Sequence, residues 1–358
     1  MKINLHELYN INFNEFSLIN SKIEKFGVSI FGAGFQGSFI LEYLLSKDVK
    51  VNYFVDSDNT KVGRKINGIE VLSPTNNILD KDSILLISSF NYVDDIIKSN
   101  IDKYTYIIPF FKWLFIKEFN NFLSVRELFE DDTSKEIYDN LMYAKFTGNV
   151  TLMSNLYSGS SYFSFSKCLP NNRDEIFLDA GAYVGDTLEK FINKSEGNFR
   201  KIYAFEPGEL QFKAIRKRTN RLIEEWALCE NSIVLEKLGL SNENKTVYFN
   251  SDTSILAANI ISTEKTNNKI DIVSIDNYLE GSPITFLKAD IEGEELNMLK
   301  GAMTTIKKYT PKIVLSIYHR PEDFITIPIF IKSIYSGYKF SLRHHSNNFT
   351  ESVLYCYI

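Results

Sequence analysis

The 358-residue chain has little cysteine, little histidine and no surplus of positive charge. Its three cysteines, Cys168, Cys229 and Cys356, stand far apart, with no Cys-x-x-Cys pair and no Cys/His cluster, so nothing suggests zinc. So sparse and odd a set fits a reducing compartment and buried free thiols. The formal net charge of -5 gives no support to general nucleic-acid or anionic-membrane binding. A local basic patch such as Lys213, Arg216, Lys217, Arg218 and Arg221 reads as a solvated helix face. No apolar run approaches the ~18–20 uncharged residues of a membrane span. Met1–Asn20, with Lys2, His6, Glu7 and Glu15 among its apolar residues, has no signal-peptide core. These absences lead to the expectation of a cytoplasmic protein without a membrane span.

What is present is a 44% apolar composition, enough for sizeable cores, in a chain whose length favours two domains. The expected class is α/β, in three pieces. Residues 1–110 alternate apolar strands with amphipathic helices: Gly27–Phe31, Gln36–Lys47, Val51–Val55, Ser83–Ser88, Asn91–Ile101 and Tyr104–Ile108. Such alternation implies a Rossmann-like parallel sheet. Residues 111–173 form a helical connector. Leu123–Tyr143 has helical periodicity, with Thr133 or Ser134 as a cap, Asn155–Phe165 is a polar, aromatic loop, and the connector as a whole is expected to reach over the second domain's cleft. Residues 174–358 are again α/β, with strands at Glu175–Leu178, Lys201–Phe205, Ser232–Lys237, Ile284–Ala289, Lys312–Tyr318, Tyr338–His344 and Ser352–Ile358. Helices fit between the first six. The last two are too close for a helix and must form an antiparallel hairpin, the layout of a class I methyltransferase sheet.

Chemistry concentrates where strands end. Asp179-Ala-Gly181-Ala-Tyr183-Val-Gly185-Asp186-Thr187 follows an apolar strand and opens a helix, so glycines let backbone approach a ligand there. The next strand ends at Glu206-Pro207, placed to accept ribose hydroxyls. Asp179 and Asp186 would repel a pyrophosphate but favour a sulfonium, which selects S-adenosylmethionine over NAD. A third strand delivers Asp290 and Glu292 to the same rim, with Glu294 and Glu295 read as helix-start acids. A fourth ends at His319, a candidate proton acceptor. His344 and His345 alternate to opposite faces, so at most one points at the cleft.

DAGAYVGDT, YAFEP, LKADIEGEELNMLKGA, LSIYHRPEDF and the RHH ending together resemble the FkbM family of S-adenosylmethionine-dependent methyltransferases, over about half the chain. The resemblance implies a class I fold and methyl transfer, commonly to a hydroxyl of a sugar or natural-product scaffold. Carried over by position, Asp179, Gly181 and Gly185 would hold the methionine part, Glu206 the ribose, and Asp290 and Glu292 the reacting edge. Some members also carry an N-terminal Rossmann-like region. Here that region contains Gly32-Ala-Gly34-Phe-Gln-Gly37 with Asp56 ending the next strand and Lys61–Gly68 beyond, a candidate nucleotide or nucleotide-sugar site in which Asp56 binds a ribose.

The expected activity is therefore O-methylation of a sugar or nucleotide-linked sugar in surface-glycan or natural-product biosynthesis. His319 would be general base, Asp290 would orient it, and Tyr157, Tyr162 and Phe163 would offer stacking faces. Asp290, Glu292 and His319 are also the candidate ligands should a divalent metal such as Mg²⁺ take part. Two alternatives remain: an NAD(P)- or nucleotide-sugar-dependent oxidoreductase or epimerase centred on the N-terminal fingerprint, and a non-enzymatic nucleotide-binding scaffold. A homodimer through the aromatic-rich middle is a further expectation.

Overall fold

A 22-residue helix that periodicity did not bring out opens the chain: α1 (Leu5–Phe26), with Asn4 accepting the amides of His6 and Glu7 at its start. The structure is a computed structural model that describes residues 3–76, 82–90, 92–159, 162–170, 173–250, 260–262 and 269–358. Next come β1 (Val28–Phe31), α2 (Phe35–Ser46), β2 (Val51–Val55), β3 (Lys65–Ile66), β4 (Ile69–Leu72), β5 (Ile84–Ile87), α3 (Val93–Asn100) and β6 (Tyr106–Pro109). They form a six-stranded sheet ordered β3-β4-β2-β1-β5-β6, parallel apart from the β3–β4 pair. Part of the segment Lys61–Gly68 forms that hairpin. Its turn residues Asn67 and Gly68 both have positive φ, as a two-residue reversal between strands requires.

The connector is α4 (Phe110–Lys117), α5 (Phe119–Leu128) and α6 (Asp132–Thr147). The cap of α6 is Asp131, which accepts the Ser134 amide and hydroxyl at 2.8 and 2.7 Å; this corrects the expectation of Thr133 or Ser134, since Ser134 is the donor. Phe110, Phe111, Trp113 and Phe115 are buried within their own chain, so the aromatic run Tyr104–Phe115 supplies core and offers little surface for a dimer. The connector also docks on the C-terminal sheet: the Glu130 amide donates to the Phe340 carbonyl at 3.0 Å and the Ser158 amide to the His344 carbonyl at 2.7 Å.

The C-terminal unit runs β7 (Ile176–Ala180), α7 (Asp186–Lys194), β8 (Lys201–Phe205), α8 (Glu209–Glu225), β9 (Ile233–Glu236), β10 (Gly239–Leu240), β11 (Lys245–Asn250), β12 (Ile260–Ser262), β13 (Lys269–Val273), α9 (Ile275–Leu279), β14 (Phe286–Ala289), α10 (Glu295–Lys300), α11 (Met303–Tyr309), β15 (Lys312–Ser316), α12 (Asp323–Ile334), β16 (Lys339–His344) and β17 (Ser352–Tyr357). The main sheet is ordered β16-β17-β15-β14-β7-β8-β9, with β17 antiparallel to both neighbours and the five strands from β15 to β9 parallel. The hairpin and the parallel set are as the sequence implies. Between β9 and β14, however, a small sheet ordered β10-β13-β11-β12 stands where a helix was expected, followed only by the short α9. Residues 245–249, Lys-Thr-Val-Tyr-Phe, are rich in β-branched and aromatic types, which favour a strand there.

One apolar core runs through both units: Leu41 of α2, Leu114 of α4 and Phe324 and Ile327 of α12 belong to it. The two sheets are therefore not beads on a linker. Cys168 and Cys356 are buried free thiols, whereas Cys229 is exposed, a correction to the uniform burial expected. No helix among the described residues is long and apolar enough to cross a membrane.

Candidate active site

The carboxyl ends of β7, β8 and β14 open into a cavity of about 450 Å³. Parallel sheets bind ligands at this edge because loops and helix starts converge there. One end is made by the loop after β7. Gly181 has φ +75, and a β-carbon on it would fall 2.0 Å from the Asp290 carbonyl oxygen, so the close approach of two loops demands glycine. Gly185, φ +84, starts α7 beneath Ile215. Gly181, Tyr183, Asp186, Thr187, Glu206 and Pro207 line this end.

Asp179 does not. It is fully buried and forms an ion pair with Lys288 at 3.0 Å. Lys288 in turn donates to the Gly181 carbonyl at 2.8 Å, so the pair holds the loop from below. This revises the expectation that Asp179 holds the methionine part. Burial pushes the Asp179 carboxyl up to about 6, with Lys288 pulling the other way. The Lys288 ammonium pays for burial, but Asp179 and Asp290 outweigh that and leave it above the usual lysine range. Lys288 was overlooked in the sequence, although a lysine inside the strand Phe286–Ala289 is a signal: a buried amine has to find counter-charge.

Glu206 is buried beside Tyr183. One oxygen accepts the Tyr183 amide at 2.9 Å and the other the Gly208 amide at 2.7 Å. The remaining lone pairs are free for hydroxyl donors. Burial raises this carboxyl to about 7, against the two amides.

The other end of the cavity carries Tyr162, Lys288, Asp290, Glu292, Tyr318 and Glu351. Tyr162, from the connector, donates to Asp290 Oδ2 at 2.6 Å. The connector thus reaches the cleft, but Phe163 packs in the core against Phe177, Phe191 and Phe286, and Tyr157 is exposed. His319 lies behind this wall, three residues past β15, and is not among the lining residues. Its Nε2 is 3.4 Å from Asp290 Oδ1 and 3.7 Å from Glu292 Oε2, and its Nδ1 is 3.0 Å from Glu295 Oε1. Burial disfavours the imidazolium, but Glu295, Asp290 and Glu292 together push the group up to about 10. A histidine that keeps its proton above neutral pH is a counter-charge, which corrects its assignment as general base. Asp290 is half-buried; desolvation raises it, yet His319, Lys288 and the Tyr162 hydroxyl hold it below the usual carboxylate range. Burial raises Glu292 to about 7.

Glu295, read from the sequence as a helix-start acid, does accept backbone amides, from Ile291 at 2.8 Å and Gly293 at 3.0 Å. Its proximity to His319 comes from the crossing of two loops and is not written in local spacing. Donor atoms of Asp290, Glu295 and His319 lie within 4.8 Å of one another. Asp290 and Glu292 face one imidazole nitrogen and Glu295 the other, so the cluster is an imidazole between carboxylates rather than a set converging on one point. His344 bonds Ser352 and the Asn348 carbonyl, and His345 bonds the Gly159 carbonyl and Tyr355; neither lines the cavity.

In the N-terminal unit, Gly32 and Gly37 serve packing: a β-carbon at Gly37 would fall 1.9 Å from the Gly32 carbonyl oxygen, and one at Gly32 2.3 Å from Ser88 Oγ. Gly34 is exposed, with the Lys61 ammonium 4.0 Å from where its β-carbon would stand. Asp56 is committed to its own loop. It accepts the amides of Ala33 and Asp58, both at 2.8 Å, and pairs with Lys61 at 3.1 Å. The expected ribose contact from Asp56 competes with these partners.

A parallel sheet closed by an inserted antiparallel strand, with a cavity running from a glycine turn and a strand-end glutamate to a rim of carboxylates, defines the C-terminal unit as an S-adenosylmethionine-dependent methyltransferase domain. Residues 179–345 match the family model described as the Methyltransferase FkbM domain. No curated protein matches the sequence. Among solved structures, a crystal structure of Methyltransferase FkbM from Methylobacillus flagellatus KT is similar over 99% of both chains, at 19% identity and a TM-score of 0.61, a likeness of fold that spans both units. An rRNA methylase from Streptococcus thermophilus (16% identity, 52% of this chain and 86% of that one, TM-score 0.32) and SAH-bound PaMTH1 of Podospora anserina (9% identity, 75% and 95%, TM-score 0.29) are too distant to carry any argument.

Proposed function

We propose that this protein methylates a hydroxyl of a sugar or sugar-bearing scaffold, of the kind found in surface glycans and natural products. The observation that carries the reading is the single cavity joining Gly181, Tyr183 and Glu206 to Tyr162, Asp290 and Glu292. S-adenosylmethionine supplies a methyl group already activated on a sulfonium. Glu206 takes the ribose hydroxyls, and the backbone about Gly181 and Tyr183 takes the amino-acid part. Asp186 and Asp290 favour the positive charge at that end.

The protein's remaining task is to place an acceptor oxygen in line with the methyl carbon and remove one proton. Glu292, raised to about 7, is matched to that proton, since a base near the working pH combines availability with strength. Asp290, fixed by Tyr162, orients the acceptor hydroxyl. The His319 imidazolium keeps the two carboxylates from repelling each other. As the carbon–oxygen bond forms and the carbon–sulfur bond breaks, the hydroxyl proton passes to Glu292 and S-adenosylhomocysteine leaves neutral. Lys288 and His319 are both engaged by carboxylates, and Asp290, Glu292 and Glu351 face the acceptor end, so no surplus positive charge is left there for a phosphate and the part that enters is a neutral polyol. The test is S-adenosylhomocysteine release with free sugars, glycosides and nucleotide sugars. Turnover that favours nucleotide sugars with the phosphate in the cavity, or that survives Glu292→Gln in full, would reject this assignment.

A further inference from the structure

Helix α2, which follows the Gly-x-Gly-x-x-Gly turn, lies against the methyltransferase site. Gln36 Nε2 donates to the His319 carbonyl at 2.9 Å. Three residues on, Phe39 meets Gly293 so closely that a β-carbon there would fall 2.6 Å from the ring. The same ring carries the Arg320 guanidinium at 4.1 Å. Three residues further, Glu42 pairs with Arg320 at 2.7 Å, while Arg320 Nε donates to the Gly293 carbonyl at 2.6 Å. Spaced by three, the side chains share one face of α2. Gly37 seats the first turn of α2 directly on the Gly32 carbonyl, which fixes where the helix lies on its own sheet.

These contacts reach the two loops that matter most. One holds Asp290 to Gly293, with Glu292 and Gly293 both in the left-handed region, φ 57 and 96, and outside any helix or strand. The other holds His319 and Arg320. We propose that α2 is a positioning element of the methyl-transfer site: Gln36, Phe39 and Glu42 fix where Glu292 and His319 stand, and the glycine turn serves that packing. The assignment rests on the methyltransferase reading above. The groups facing the His319 ring are Asp290 and Glu292 from the loop after β14, Glu295 from α10 and the neighbouring Tyr318 ring, with Glu351 of the closing hairpin nearby. Glu42 is turned to Arg320. Helix α2 therefore acts through packing and the His319 backbone, not through charge on the imidazole.

The test uses the full chain labelled with ¹³C at the histidine ring, read by NMR at one pH. The protein has four histidines, so each resonance can be assigned by substitution. Gln36→Leu and Phe39→Ala should both shift the His319 resonance and leave those of His344 and His345 in place. Phe39→Leu, which refills the space, should restore most of the wild-type position. S-adenosylhomocysteine affinity should stay within about twofold of wild type in all three, because Gly181, Tyr183 and Glu206 are untouched. An unmoved His319 resonance in both variants would overturn the proposal. So would a shift shared with His344 and His345, which means general loosening. Should Phe39→Ala not fold, Gln36→Leu decides alone. Wild type that fails to bind S-adenosylhomocysteine counts against the methyltransferase reading and leaves the His319 resonance readable.

Discussion

Replacing Lys288 by methionine should destabilise the protein strongly and in a pH-dependent way. The ammonium is 2% exposed and its partner Asp179 fully buried, so removing it strands a carboxylate with no counter-charge. Breaking such a pair from one side costs about 3–5 kcal/mol. The sign follows from proton counting. A carboxyl raised in the folded state binds a proton that the unfolded chain does not, so stability falls as pH rises, until the folded-state value is passed. In the wild type that window closes at about 6. In the variant it extends further up, and the gap between the two proteins widens between about pH 6 and 8. Guanidinium unfolding at several pH values reads this directly. Asp179→Asn combined with Lys288→Met should recover much of the loss, because no charge is then buried. A Lys288→Met loss below about 1 kcal/mol at neutral pH, or one that does not change with pH, would refute the reasoning.

Further predictions concern the cavity and a second buried amine. Gly181→Ala should weaken S-adenosylhomocysteine binding by about tenfold or more in calorimetry, because the added carbon collides with the Asp290 carbonyl and sits at positive φ. Affinity for S-adenosylhomocysteine should rise with pH through about 7 and level off above it, since ribose hydroxyls donate best to an ionised Glu206, and Glu206→Gln should flatten the profile. Lys145 is buried among the rings of Phe90, Phe111, Phe324 and Phe349, and burial lowers it to about 7. Its folded-state value lies below the unfolded one, so wild-type stability should climb as pH rises above about 7. Lys145→Met should gain about 1–2 kcal/mol at neutral pH and lose that slope in denaturant titrations, the ring faces having offset only part of the cost.

Much of the fold was legible because short apolar strands ending in glycine or acid announce a parallel sheet, and because the short Ser346–Glu351 link leaves no room for a helix. The small sheet around β11 was not: its outer strands β10 and β12, of two and three residues, carry almost no period, and β11, Lys-Thr-Val-Tyr-Phe-Asn, does not alternate polar with apolar residues. Helix α1 was missed for another reason: Leu5, Leu8, Tyr9, Phe16, Ile19 and Ile23 do recur at helical spacing and pack on the core, but the exposed Ile11, Phe13 and Leu18 blur that stripe in the sequence. At the site, the residues that face the cavity were readable from strand ends: Gly181, Glu206, Asp290 and Glu292. What spacing along the chain cannot express is proximity between loops. Glu295 and Asp290 on opposite sides of His319 turn a presumed base into a counter-charge. Lys288 under Gly181 takes Asp179 out of the ligand's reach. Likewise, Gly-x-Gly-x-x-Gly specifies a tight turn before a helix, but whether a phosphate or another part of the protein meets that helix depends on tertiary packing, and here α2 meets Gly293 and Arg320.

The central claim is that the cavity between Gly181, Glu206 and Asp290 receives S-adenosylmethionine. Isothermal titration of the wild-type chain tests it without knowledge of the acceptor. Binding should saturate at one site per chain, be displaced by S-adenosylhomocysteine and not by NAD, and be lost or greatly weakened in Glu206→Ala. Absence of binding by the wild type, or binding that Glu206→Ala leaves unchanged, would contradict it.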